Sequence, residues 1–222
     1  DINFDLNRGE ILGIYGLMGS GRSELASALF GLTRATSGFM QLAGENYSPG
    51  SPRNALKSGL ALATEDRRAS GLVMTASVKE NVSLTSLSKL SRFGFLNRKK
   101  EMVLVQNQIN AFGIKTASQE IPVENLSGGN QQKVVLSRCM ATQPRLLICD
   151  EPTRGIDEGA KRQIYRFLAN FAASGRSVLM ISSELSEILE NCHRIIILRR
   201  GRIADIIPAS KATRQALVGL SS

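Results

Sequence analysis

The segment Glu10–Phe30 constrains this chain most. Glu10-Ile11-Leu12-Gly13-Ile14-Tyr15 is an apolar run of strand length, Gly16-Leu17-Met18-Gly19-Ser20-Gly21 is a glycine-rich break, and a helical pattern follows from about Arg22 to Phe30 and stops at Gly31. A strand that enters a helix through a tight loop is the first half of a crossover connection, the join that parallel strands require. The chain repeats that alternation. Gly38–Ala43 and Leu60–Ala63 read as short strands, and Leu146–Cys149, Val178–Ile181 and Ile195–Leu198 as strands of a buried sheet. Between the first two of these, Ile164, Phe167, Leu168 and Phe171 form the inward stripe of a helix that Asp157 caps and Gly175 ends. From residue 76 to 142 the character is helical, with Met102, Val105, Ile109 and Phe112 on one helix face. The expectation is a single α/β domain over 1–222 with a mostly parallel sheet, an antiparallel β portion and a helical subdomain inserted at 76–142.

Composition narrows the class. At 222 residues and 42% hydrophobic content the chain can bury one good core. No apolar run reaches the roughly 18 residues of a membrane helix, and no signal-peptide pattern opens the chain. It starts at Asp1-Ile2-Asn3-Phe4-Asp5-Leu6, inside what reads as a strand, so it is expected to be a piece of a longer polypeptide. Cys139, Cys149 and Cys192 lack paired spacing and read as buried reduced thiols, and the lone His193 reads as a strand-edge residue rather than a zinc ligand. The formal charge of +9 has two dense clusters, Arg98-Lys99-Lys100 and Arg199-Arg200, read as free of aromatic interleaving; no nucleic-acid partner is expected.

Three motifs carry chemistry. In Gly16-Leu17-Met18-Gly19-Ser20-Gly21-Arg22-Ser23 the glycines let backbone N–H groups wrap phosphate oxygens, and Ser23 is placed to offer its hydroxyl to Mg²⁺. Arg22 occupies the position of the P-loop lysine. A broad planar fork there is a poor substitute for a compact ammonium in a tight cradle. In Leu126-Ser127-Gly128-Gly129-Asn130-Gln131-Gln132-Lys133, a serine cap and bare glycines start a helix whose free N–H groups and positive dipole suit an anion. In Leu146-Leu147-Ile148-Cys149-Asp150-Glu151 an apolar strand delivers two acids, Asp150 to hold the hydration shell of Mg²⁺ and Glu151 to polarise a water.

In this order the motifs resemble those of ATP-binding cassette (ABC) ATPases over nearly the whole chain. Together with Glu65-Asp66-Arg67-Arg68, Asp150–Asp157 and Ile181-Ser182-Ser183-Glu184-Leu185, they are most similar to the C-terminal cassette of tandem ATPases that energise bacterial importers of ribose and galactose. The resemblance implies a P-loop NTPase fold with a RecA-like core, and ATP and Mg²⁺ as cofactors. It places Gly16, Gly19, Ser20, Gly21, Arg22, Ser23 and Glu65 at this domain's own nucleotide, and Glu151 and Ser183 in catalytic positions. Ser127, Gly128, Gly129 and Gln131 would face the ATP of an opposing cassette, and Asp157 would lie in the D-loop. Implied partners are an N-terminal cassette of the same polypeptide, transmembrane permease subunits and, indirectly, a periplasmic sugar-binding protein. The implied location is peripheral, on the cytoplasmic side of the bacterial inner membrane.

The departures fall on one side of that machinery. Glu65 replaces the Q-loop glutamine, Ser183 the switch histidine and Arg22 the lysine, so the domain's own site is expected to turn over slowly at best. The signature Leu126–Lys133 is intact. The resulting expectation is a division of labour in which this domain completes the ATPase site of its partner. Two other readings stay open, an allosteric cassette that binds nucleotide without cleaving it and a soluble nucleic-acid-associated ABC protein.

Overall fold

The structure, a computed structural model, describes residues 2–221. It resolves into two compact units. The first comprises residues 1–62, 145–151 and 168–222, and the second residues 63–144 and 152–167.

The first unit is built on a six-stranded sheet of order β10-β9-β1-β8-β7-β4. Its strands are β1 (Ile11–Tyr15), β4 (Leu60–Ala63), β7 (Leu146–Asp150), β8 (Ser177–Ile181), β9 (Arg194–Arg199) and β10 (Arg202–Pro208). β1 pairs in parallel with both β8 and β9, and β7 pairs in parallel with β8. β10 turns back antiparallel on β9, and its mixed polar pattern shows why it escapes a search for apolar runs. β1 is buried at every position, as a central parallel strand covered on both faces must be. Leu12, Ile14, Ile148, Leu179, Ile181, Ile196 and Leu198 form the heart of the core with Ala26 of α1 (Arg22–Leu29) and Tyr47. Tyr47 belongs to a small antiparallel hairpin of β2 (Met40–Leu42) and β3 (Glu45–Tyr47), and its hydroxyl donates to the carbonyl of Leu29 at 2.7 Å. Where β1 and β9 begin, Arg194 donates to Glu10 at 2.7 Å, and the backbone N–H of Ile11 donates to His193 Nδ1 at 3.0 Å, so the one histidine is spent on the sheet.

The second unit is helical, with α3 (Val78–Ser83), α4 (Leu87–Leu90), α5 (Arg98–Phe112) and α6 (Gly128–Ala141). Val78, Val82, Val105, Val123, Val134 and Leu136 are fully buried at its centre. Two sequence expectations change here. Met102 is 54% exposed, and its neighbour Glu101 faces inward instead, 4% exposed, accepting from the Ser83 hydroxyl at 2.6 Å. The buried stripe is therefore Glu101, Val105 and Ile109, spaced by four, with half-buried Phe112 three residues on, a pattern that one hydrogen-bonded acid disguises. The helical run is also interrupted by a tight hairpin of β5 (Ser91–Arg92) and β6 (Phe95–Leu96). Its exposed Phe93 and Phe95 stand directly before Arg98-Lys99-Lys100, so that cluster does have aromatic neighbours, contrary to the reading from sequence.

The helix α7 (Glu158–Ala173) starts as expected, with Asp157 Oδ1 accepting from the N–H of Ala160 at 2.9 Å, and runs out at Gly175, φ +80°.

Candidate functional site

In the first unit β1 ends at Gly16 and the chain folds into a loop before α1. Gly16 is dictated by space: a Cβ there would collide with the Leu198 carbonyl and lie 2.5 Å from Ser20 Oγ. Gly19 and Gly21 take φ of +78° and +100°, which only glycine adopts without strain. The loop is braced by the N–H of Ser20 donating to the Leu17 carbonyl at 3.0 Å and by the N–H of Gly201 donating to the Ser20 carbonyl at 2.8 Å. Ser20 Oγ is buried without a hydrogen-bond partner. A concave backbone at a helix start with an orphaned hydroxyl fits an anion with oxygen acceptors.

β7 delivers Asp150 to the same region. Burial pushes its carboxyl above the usual range, against the hydrogen bond from Ser23 and the charge of Arg22, and its Oδ1 is buried without a partner. A desolvated carboxylate beside a serine hydroxyl, with one oxygen unspent, is a donor set that fits a hard divalent cation with its waters. The residues read from sequence as Mg²⁺ ligands, Ser23 and Asp150, are thus brought together.

Glu151 is held differently. It sits at φ +48°, uncommon for a residue with a side chain, its N–H donating to the Ile181 carbonyl at 2.9 Å. One carboxylate oxygen accepts from the Ser183 N–H at 2.7 Å and stands 3.4 Å from Arg22 Nη1. The other lies 3.5 Å from the Ser182 hydroxyl, which itself donates to Glu187 at 2.7 Å. Burial raises the Glu151 carboxyl, and the Ser183 hydrogen bonds and Arg22 oppose without overcoming it. Ser183 thus acts on Glu151, by its N–H as well as its side chain, and Arg22 is drawn toward the same acid. Sequence reasoning missed Ser182 and Glu187, both buried, because their role depends on proximity across a turn.

The second unit carries the remaining residues. Ser127 caps α6 by accepting from the N–H and side-chain amide of Asn130 at 3.4 and 3.0 Å. Gly128 and Gly129 begin the helix with no room for side chains: a Cβ on Gly128 would lie 2.8 Å from Arg67 Nη2, and one on Gly129 2.8 Å from Ala160 Cβ and 3.5 Å from Asp157 Oδ2. Asp157 is therefore a neighbour of Gly129. Gln131, expected to face a nucleotide, is instead 1% exposed and spent internally, donating to the carbonyls of Val123 and Leu126 at 3.2 and 3.1 Å. Lys133 likewise donates to the Gly113 carbonyl at 3.0 Å.

Arg67 organises this half. It leads a π-helical turn, Arg67–Gly71, capped by Asp66, and its guanidinium donates to the carbonyls of Arg154 at 2.8 Å and Gly155 at 3.2 Å and to Gln131 Oε1 at 3.4 Å. Burial depresses its pKa somewhat, with Arg68 adding to the effect. Glu65 is ion-paired to Arg154, so this acid is engaged within this unit.

A glycine cradle between strand and helix, with an acid-tipped strand one place further along the sheet, defines a P-loop nucleotide-binding domain of the ABC cassette fold. An ABC transporter family model matches residues 1–154, and the chain belongs to that family. Among curated proteins it is 44% identical over 218 residues to the ribose import ATP-binding protein of Oceanobacillus iheyensis, covering 98% of this chain and 44% of that protein. It is 45% identical to a putative ribose/galactose/methyl galactoside import ATP-binding protein of Pseudomonas fluorescens, covering 100% of this chain and 43% of that one. The chain thus spans less than half the length of these relatives. Among solved structures, an ATP-binding cassette seen as a dimer in a post-hydrolysis state with ADP and Pi superposes with TM-score 0.81 at 20% identity, covering 94% and 89% of the two chains. A nucleotide-free cassette from an ABC transporter gives 0.79 at 18% identity, covering 100% and 88%. These fix the ABC cassette fold.

Proposed function

We propose that this chain is the C-terminal ATP-binding cassette of a monosaccharide importer, and that it serves catalysis mainly by lending Ser127, Gly128 and Gly129 to the nucleotide of an opposing cassette. The single observation that carries the asymmetry is the contact of Arg22 with Glu151. The residue that should embrace a phosphate and the residue that should polarise a water are turned toward each other, while the signature start is capped and carries no side chain of its own at Gly128 and Gly129. The relatives' names support a ribose or galactose type of cargo, and their greater length leaves room for the N-terminal cassette. The partners of that reading are the N-terminal cassette, permease subunits at the cytoplasmic face of the inner membrane, and a periplasmic sugar-binding protein acting through them.

Gly16, Gly19, Ser20 and Gly21 would cradle ATP at this domain's own loop, with Ser23 and Asp150 holding Mg²⁺. ATP supplies the anhydride whose cleavage drives transport. The residues here bind and orient it: the cradle positions the phosphates, the signature helix presents N–H groups, and Asp157 stands beside Gly129. An allosteric cassette that binds nucleotide without hydrolysing it is the second reading, favoured by the same Arg22–Glu151 contact. Labelled ATP bound to the full polypeptide whose N-terminal P-loop is inactivated separates the two: retained ATP without product supports the allosteric form.

Uptake tests the reading as a whole. Cells that depend on the full polypeptide should lose accumulation of labelled ribose or galactose when it carries Ser127→Arg, since a large cation would block the signature start. Undiminished uptake of every monosaccharide tried would refute it.

A further inference from the structure

We propose that the β5–β6 hairpin with the first turn of α5 is a docking surface for an anionic lipid bilayer. The hairpin is closed by the two-residue loop Phe93-Gly94, with φ of +51° and +83°. This is the geometry of a turn that favours asparagine followed by glycine, and a bulky residue at its first position is conformationally unfavourable. The Phe93 ring meets the Arg92 guanidinium rather than the core. Phe93 is 87% exposed, Phe95 81% and Leu96 37%, so a strained aromatic is held out in water beside two more apolar side chains.

The charge around it has one sign. The run Asn81–Lys100 contains Lys89, Arg92, Arg98, Lys99 and Lys100 and no Asp or Glu. Residues 92–100 are all exposed, and the Arg92 guanidinium lies 5.2 Å from the Phe93 ring centre. Arg98, Lys99 and Lys100 also fill the first turn of α5, the positive end of its dipole, where cations repel it. The nearest acid in that turn, Glu101, is buried on Ser83. Exposed rings and an aliphatic side chain flanked by a polybasic run match the interface of an anionic bilayer, where phenylalanine enters the acyl boundary and cations meet headgroup phosphates. Leu96 distinguishes this from a single-stranded polynucleotide, which rewards stacking rings but not an aliphatic side chain. The lack of acids distinguishes it from an ordinary protein groove, whose partner would need to supply all the counter-charge.

The test is partition of the full-length polypeptide, without permease, onto vesicles of phosphatidylcholine and onto vesicles of equimolar phosphatidylcholine and phosphatidylglycerol, at low and high salt. Binding is expected to the anionic vesicles only and to fall with salt. Arg98→Gln/Lys99→Gln/Lys100→Gln should lower the partition coefficient at least about tenfold, since each cation near such a surface contributes several-fold. Phe93→Ser/Phe95→Ser should lower it comparably, with melting temperature and nucleotide binding unchanged. Phe95→Trp, read as the difference in emission from the wild-type polypeptide, gives an independent readout: the added emission should shift blue on anionic vesicles. Equal partition of wild type and variants overturns the proposal, as does binding to neutral vesicles of the same strength. Unchanged vesicle binding with loss of permease co-purification in the phenylalanine variant would assign the hairpin to a protein groove. Preferential retention of single-stranded polynucleotide, lost in that variant, would assign it to nucleic acid. Either result also overturns the proposal, and none bears on the signature reading above.

Discussion

Arg22 Nη1 lies 3.4 Å from Glu151 Oε1, between side chains only 14% and 9% exposed. A lysine in a P-loop is a point charge on a thin stem, whereas this arginine spreads its charge over a fork wide enough to reach the acid that follows β7. The acid is also fixed from behind by the Ser183 N–H at 2.7 Å. Both groups remain partly desolvated, and burial still dominates the Glu151 carboxyl. The pair is therefore a compromise, each charge making the burial of the other tolerable, rather than a source of stability.

Asp150 should show the cost of a buried carboxylate more plainly, because one of its oxygens has no partner. Its carboxyl is raised, first by burial. A raised acid favours folding in its protonated form; that contribution is complete below the ordinary carboxylate range near about pH 4 and is lost as pH rises through the raised value. Asp150→Asn in the full polypeptide, without nucleotide or Mg²⁺, should thus raise the melting temperature at neutral pH, by about 2–4 °C per kcal/mol gained in a domain of this size. The gain should vanish in acid. A gain of equal size at both pH values would show that the charge is not its cause.

Gly16 predicts a failure of shape. A methyl there meets the Leu198 carbonyl and Ser20 Oγ, so Gly16→Ala must push the loop off the end of β9. Overpacking of this kind costs about 1–3 kcal/mol. Calorimetry should show a lowered melting temperature, and labelled nucleotide should no longer be retained at this loop. Full stability with normal retention would mean that the loop adapts freely.

Arg67 and Gly128 should be coupled. The space a methyl on Gly128 would need is taken by Arg67 Nη2 at 2.8 Å and the Gly155 carbonyl at 3.2 Å. Gly128→Ala alone should therefore displace the guanidinium from Arg154 and Gly155 and lower the ATPase rate of the full polypeptide. Arg67→Ala alone should lower it too, and the double variant should fall short of the sum by about 0.5–3 kcal/mol, the range for residues in contact. Strict additivity would remove Arg67 from its role in positioning the signature start and the D-loop.

These cases also mark what a sequence discloses. The cradle was legible because its glycines, Ser23 and Asp150 are local or sit at the ends of strongly apolar strands. Arg67 was not, since its partners Gln131, Arg154 and Gly155 lie 64 to 88 residues away and only folding brings them near. Gln131, which the family resemblance sets at a partner's nucleotide, is turned inward by helix periodicity. Met102 was misplaced by one residue because Glu101, an acid, occupies the inward position through a single hydrogen bond to Ser83. The Phe93-Gly94 turn was invisible because its first residue contradicts the turn chemistry that would have announced it.

The division of labour is tested most directly by steady-state ATPase of the full-length polypeptide carrying Ser127→Arg or Glu151→Gln. Ser127→Arg should abolish turnover, because the signature start is what this domain contributes across the interface. Glu151→Gln should leave most of it, because that carboxylate is already engaged by Ser183 and Arg22. Wild-type turnover with Ser127→Arg, or its loss with Glu151→Gln, would contradict the account.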